Sequence, residues 1–156
     1  MKFRFLLATI VIALVGACSL PTLDNATVER SAKAYDQLVL GQYADLIGNL
    51  DPKISLDQSK ATLDHLRSLI PTTQGSQGHL VGWNTNASTN NGDVTRNMIR
   101  YDYGTTHLLF TGIFARENGG KPWRMTGFEL AVVGADYATV PDVGPMQPAP
   151  PLKPAS

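Results

Sequence analysis

The densest cluster of reactive side chains in the 156 residues is Tyr101-Asp102-Tyr103. A phenol that donates to an oxyanion and a carboxylate that carries a proton make an acid–base pair only when both reach one substrate. Side chains on a strand alternate faces, so Tyr101 and Tyr103 share one face and Asp102 takes the other. The tripeptide cannot converge by itself, and an acid or base for the two tyrosines would have to come from His107 or Glu129. The plainer reading is that Tyr101 and Tyr103 pack across strands as aromatic ladder residues.

The other candidates are sparser. His65 lies between Asp64 and Leu66 in a helical stretch, His79 opens a strand and His107 lies inside one. No two are spaced as metal ligands on one element, so neither a metal nor a cofactor is expected. No G-x-S-x-G elbow is present, and Gly75-Ser76-Gln77-Gly78 reads as a connector. Arg100, Arg116 and Arg124 fall on three successive strands, either as a cationic stripe or, more simply, paired with Asp102, Glu117 and Glu129. No block of lysine and arginine is present, so nucleic acid is not an expected partner.

The remaining reactive group is the thiol of Cys18, the chain's one cysteine, which excludes an intrachain disulfide. Lys2 and Arg4 precede an apolar run from Phe5 to Val15, then Gly16 and Ala17. The run is too short to span a bilayer and has the length of a secretory h-region. Val15-Gly16-Ala17-Cys18 resembles the lipobox of bacterial lipoproteins, with Val and Gly where Leu and Ala or Ser are commoner. The resemblance implies a signal peptide over 1–17, removed before a Cys18 that carries acyl chains. Two or three such chains hold a protein firmly on a membrane. Ser19, rather than Asp, at the next place implies the outer membrane, facing the periplasm. Of the 13 basic residues Lys2 and Arg4 fall in this leader, leaving 11 against 13 acidic ones.

The elements follow from the periodicity. Residues 18–25 form the lipidated cysteine and a short tether, and 26–135 form one domain. Val28, Ala32, Tyr35, Leu38, Val39, Tyr43, Leu46, Ile47 and Leu50 recur at helical steps, with Asn25 or Thr27 able to cap. Gly41 predicts a kink or a second short helix. Ser55 to Gln58 has the form of a capping box and opens a helix that ends before Pro71. From His79 the period falls to two, predicting strands over 79–87, 94–103, 106–117 and 122–133. Residues 136–156, with six prolines, should be disordered or extended, bury little, and be dispensable for folding.

Helices followed by a four-stranded antiparallel meander predict an α+β fold, with helices on one face of a curved, cone-like sheet. Gly41-Gln42-Tyr43-Ala44-Asp45-Leu46, Leu80-Val81-Gly82-Trp83-Asn84, Tyr101-Asp102-Tyr103 and Asn118 to Phe128 together resemble small bacterial lipoproteins of unknown function. Their domain is similar to the nuclear transport factor 2-like or cystatin-like cone, and the resemblance covers roughly residues 26–134. It implies a fold shared by ketosteroid isomerase, dehydratases, adaptors and domains without chemistry. An isomerase of that kind would use a Tyr at the oxyanion and an Asp as proton shuttle.

Apolar residues occupy both phases of the third strand: Leu108, Phe110 and Phe114 in one, Leu109 and Ile113 with His107 in the other. Such a strand is either covered twice or lines a pocket. Tyr101, Tyr103, His107, Leu108, Phe110, Phe114 and Glu129 are therefore the candidate pocket or interface residues. The expected function is a membrane-anchored, non-enzymatic binding or interaction module. Its partners would be the bilayer through Cys18, a second copy through the sheet, and a small apolar ligand or an envelope protein. The alternatives are a small isomerase or dehydratase with a pocket in the cone, and a structural envelope protein.

Overall fold

The computed structural model describes residues 22–50, 52, 54–86, 92–117 and 122–154. The expected signal peptide and lipidated Cys18 lie outside the described residues. The fold is α+β: three helices cover one face of an open four-stranded antiparallel sheet in the order β1-β2-β3-β4.

Helix α1 (Asn25–Leu40) is capped one residue earlier than the sequence suggested. The Asp24 carboxylate accepts from the Ala26 amide at 3.0 Å, which satisfies a donor that the first turn leaves open. At its other end Gly41 takes φ 72°, a left-handed conformation that costs glycine nothing. The Gly41 amide donates to Leu38 O and the Gln42 amide to Gln37 O, which closes α1 and turns the chain into α2 (Tyr43–Gly48). Helix α3 (Leu56–Ser68) begins after Ser55 as expected, but the Ser55 side chain makes no capping bond. Leu63 and, just past the helix, Ile70 are its fully buried apolar residues.

The strands are β1 (His79–Asn86), β2 (Asp93–Tyr103), β3 (Thr106–Arg116) and β4 (Arg124–Val133). Gly104, at φ 63°, makes the reversal between β2 and β3. The register pairs Ile99 with Phe110 and Tyr101 with Leu108, and Phe110 in turn with Leu130. One face of the sheet thus carries Ile99, Tyr101, Tyr103, Leu108, Phe110 and Phe114, all buried against the helices. Gly112 belongs to that face because α1 crosses there, with Ser31 closing the space a side chain would need.

The C-terminal segment is extended rather than free of the domain. A 3-10 turn, Ala135–Thr139, is followed by residues that run back along the start of β1. The Gly78 and Gln147 backbones exchange hydrogen bonds of 2.9 and 2.7 Å, and the Val143 amide donates to Leu80 O. Further along, Gln74 Nε2 donates to Pro150 O. Lys153 Nζ donates to Arg67 O and Ile70 O, adding a cationic donor at the C-terminal end of α3. A disordered course for 136–154 gives way to a strap that covers the edge of β1.

Candidate functional site

Strand alternation separates the candidate residues as anticipated, and the two sets lie on opposite faces. Tyr101 and Tyr103 point toward α1, with Leu108, Phe110 and Phe114, while Asp102, His107 and Glu129 lie on the other face.

On the helix side the rings fill the space between the layers. Tyr35 stacks on Tyr101 with centroids 4.1 Å apart and meets Phe110 edge-on at 5.4 Å. The Tyr35 and Tyr103 hydroxyls are 2.8 Å apart. A Cβ added to Gly75 would lie 2.7 Å from the Tyr103 ring, and one added to Gly78 would lie 2.8 Å from the Tyr101 ring. The 75–78 connector therefore lies directly on the two tyrosines and leaves no room for a substrate there. Burial pushes the phenol pKa values of Tyr35, Tyr101 and Tyr103 above the ordinary range. These phenols are neutral core groups. The Tyr101 hydroxyl is buried with no partner in the structure. Leu108, Phe110 and Phe114 are fully buried by this packing and offer nothing to a second protein.

On the outer face Asp102 organises a polar cluster. His107 Nδ1 lies 2.7 Å from Asp102 Oδ1, and Arg100 Nε donates to the same carboxylate at 3.2 Å. Arg100 Nη1 also donates to the carbonyls of Tyr137 and Val140. The Asp102 amide donates to Ser76 Oγ, so Ser76 braces the strand backbone and does not face His107. The Ser76 hydroxyl is taken up by backbone partners, accepting from the Asp102 amide and donating to Gln77 O, so it builds no Ser-His-Asp relay with His107. The cluster holds the C-terminal strap on the sheet. Of the three arginines, Arg100 meets Asp102 within its own strand and Arg116 pairs with Asp93 at 2.7 Å. The rest of this face carries Met98, Leu109 and Ile113, all half-buried, with Glu129 exposed.

Sequence reasoning missed an apolar groove at the far edge of the sheet. Ile47 and Leu50 of the α2 end, Ile54, Leu63 and Leu66 of the α3 region, and Phe128 of β4 enclose about 240 Å³. Gln58, Ser59, Thr62 and Gly127 complete the wall, so no ionisable side chain lines it. Phe128 forms the floor, stacked on Phe110 at 5.4 Å and thereby fixed by the core. The sequence signal was present: Phe128 shares a phase with Leu130, and Ile54 stands apolar in a loop. Only the fold brings the α2 and α3 residues beside Phe128 of β4. A second cleft, of about 540 Å³, lies between α1 and α2 and is lined by Lys33, Asp36, Gln37, Gln42 and Asp45 among others. Its walls are polar, and burial pushes the Asp36 carboxyl up to about 6. Among the described residues no cluster of His, Cys, Asp and Glu is arranged to hold a metal ion.

No family model matches the chain, and no curated protein matches it.

Proposed function

We propose that this chain is a lipid-anchored envelope protein whose domain, of the cone-like kind, is a non-enzymatic binding module for a small apolar ligand. The observation that carries the ligand part is the groove between α2, α3 and β4, about 240 Å³ with six large apolar side chains and no charge. A ligand there would be recognised by burial alone, which suits an acyl chain or another unfunctionalised hydrocarbon. The anchor rests on the lipobox resemblance around Cys18, and the outer-membrane, periplasm-facing location on Ser19.

The isomerase-type alternative needs a tyrosine and an acid opening on one cavity. Tyr101 and Tyr103 are sealed beneath Gly75, Gly78 and Pro150, and Asp36 opens on the separate cleft between α1 and α2. Pairing through the sheet would use the outer face around Met98, Leu109 and Ile113, since the helix-side residues are already covered. A monomer mass by light scattering across a concentration series removes that pairing.

The groove is tested with a dansyl-labelled medium-chain fatty acid and the variant Thr62→Trp. Thr62 is exposed at the groove wall, so the indole fills the opening without cutting a hole in the core. The wild-type chain should bind the probe and enhance its fluorescence, and Thr62→Trp should weaken binding at least about tenfold, the equivalent of 1.4 kcal/mol. Equal binding by both proteins, or none by either, removes the groove as the site.

A further inference from the structure

We propose that the C-terminal strap is the face laid against the bilayer, with Val143, Met146 and Leu152 in contact with lipid. This rests on the reading of Cys18 as a lipid anchor. The strap stretch from Val143 to Leu152 contains no charged residue. It nevertheless holds three of the five large hydrophobic side chains that the described residues expose: Val143, Met146 and Leu152, each about half exposed or more. The charges that flank the stretch are held by the protein itself. Asp142 faces His79 Nδ1 at 3.1 Å, and Lys153 Nζ is bound to two carbonyls at the end of α3. The strip therefore presents a neutral apolar surface rather than an amphipathic one.

The tether arrives at the same place. Leu23 packs on the core, and a Cβ added to Gly144 would come within 3.0 Å of Leu23 Cδ2 and 2.6 Å of Leu80 Cδ2. Leu23, Leu80 and Gly144 thus meet, and Gly144 stands between the exposed Val143 and Met146. Cys18 is five residues before Leu23, a reach of about 17 Å when fully extended. A tether of that length, ending beside Gly144, keeps an acylated Cys18 within reach of the strap. Strand order places the apolar groove by β4, three strands from β1, about 14 Å across the sheet.

Met146 is a built-in reporter, because methionine oxidation follows exposure. The mature chain, residues 18–156, is coupled through the Cys18 thiol to a maleimide lipid in vesicles of phosphatidylethanolamine and phosphatidylglycerol. The same chain with Cys18 blocked is mixed with identical vesicles as the reference. Peroxide oxidation of Met146 is followed by peptide mass spectrometry, with Met125, 2% exposed, as the internal standard. Tethering should slow Met146 oxidation at least about threefold. The exposed-site double variant Val143→Glu/Leu152→Glu should restore the reference rate while tethered. Equal rates for tethered and blocked wild type overturn the proposal, as does slowing that persists in the tethered Val143→Glu/Leu152→Glu variant. Chemical coupling supplies the anchor, so a failed lipidation of Cys18 in cells, read by fatty-acid labelling, would be seen separately.

Discussion

Replacing Gly112 by alanine tests how closely α1 is seated on the sheet. The added methyl would collide with the Ser31 hydroxyl, come to 2.9 Å from Ser31 Cβ and to 3.1 Å from the Phe114 ring. Ser31 is fully buried and donates to Thr27 O at 3.0 Å, and Phe114 is fully buried, so neither can move aside without shifting the helix. Overpacking of this kind costs about 1–3 kcal/mol. Two other glycines calibrate the effect. At Gly82 the methyl would meet the flexible end of Met98 at 2.5 Å, and at Gly127 it would meet nothing. Gly127→Ala should therefore be neutral or add about 0.5 kcal/mol by restricting the unfolded chain, with Gly82→Ala between the two. Urea unfolding gives the three values directly. Ser31→Gly in the Gly112→Ala background should recover part of the loss, with a coupling of about 1 kcal/mol or more. Equal stability of Gly112→Ala and Gly127→Ala would refute the close seating of α1.

Two further outcomes follow from the same packing. Truncation after Gly134 removes both carbonyl acceptors of Arg100 Nη1 while Arg100 is nearly buried. Even one lost bond to a charged group costs about 1.5–3 kcal/mol, so the melting temperature should fall by at least about 5 °C by calorimetry, and an unchanged value would mean the strap contributes nothing. Tyr103→Phe leaves the buried Tyr35 hydroxyl without its 2.8 Å partner and should cost about 1–3 kcal/mol, whereas Tyr35→Phe with Tyr103→Phe should cost less than the sum of the two single changes. A strictly additive double variant would refute the hydroxyl pairing.

The helices and strands were legible because the hydrophobic period changes once, near His79, and because Gly41 and Gly104 each fall where the backbone needs a positive φ. The alternation rule alone separated Tyr101 and Tyr103 from Asp102. The strap was not legible as a packed element: its ties to Gly78 and Leu80 run backbone to backbone, and such bonds leave no pattern in side-chain types. Nor did the sequence reveal the polar seam under α1, where buried Asn97 Nδ2 donates to Thr27 Oγ1 at 2.7 Å. Asparagine in a strand reads as a surface residue, and threonine at a helix start as a candidate cap, until the fold brings the two together. The same holds for His107 and Asp102. They are five residues apart in the chain, and the tight turn at Gly104 makes them cross-strand partners.

Asp36 supplies the pH dependence. Its carboxyl is half-buried beside the polar cleft of α1 and α2, and burial pushes it from the ordinary 3.8 up to about 6. Lys33 and Asp45 share that cleft, yet among the described residues no ion pair includes Asp36. A raised carboxyl means that the folded chain binds a proton more tightly than the unfolded chain. Its contribution to stability is then fully present below about 3.8, is lost as pH rises toward about 6, and is constant above that. The whole shift would be worth more, but the group is partly solvated, and screening reduces the effect to about 1–2 kcal/mol. Asp36→Asn removes the charge and retains the shape. The variant should be more stable than wild type at pH 7 by about that amount, and the difference should shrink toward zero at pH 4. Urea midpoints for the two proteins at both pH values decide it. A difference that is the same at pH 4 and pH 7 would mean that Asp36 is no harder to ionise in the fold than in the unfolded chain.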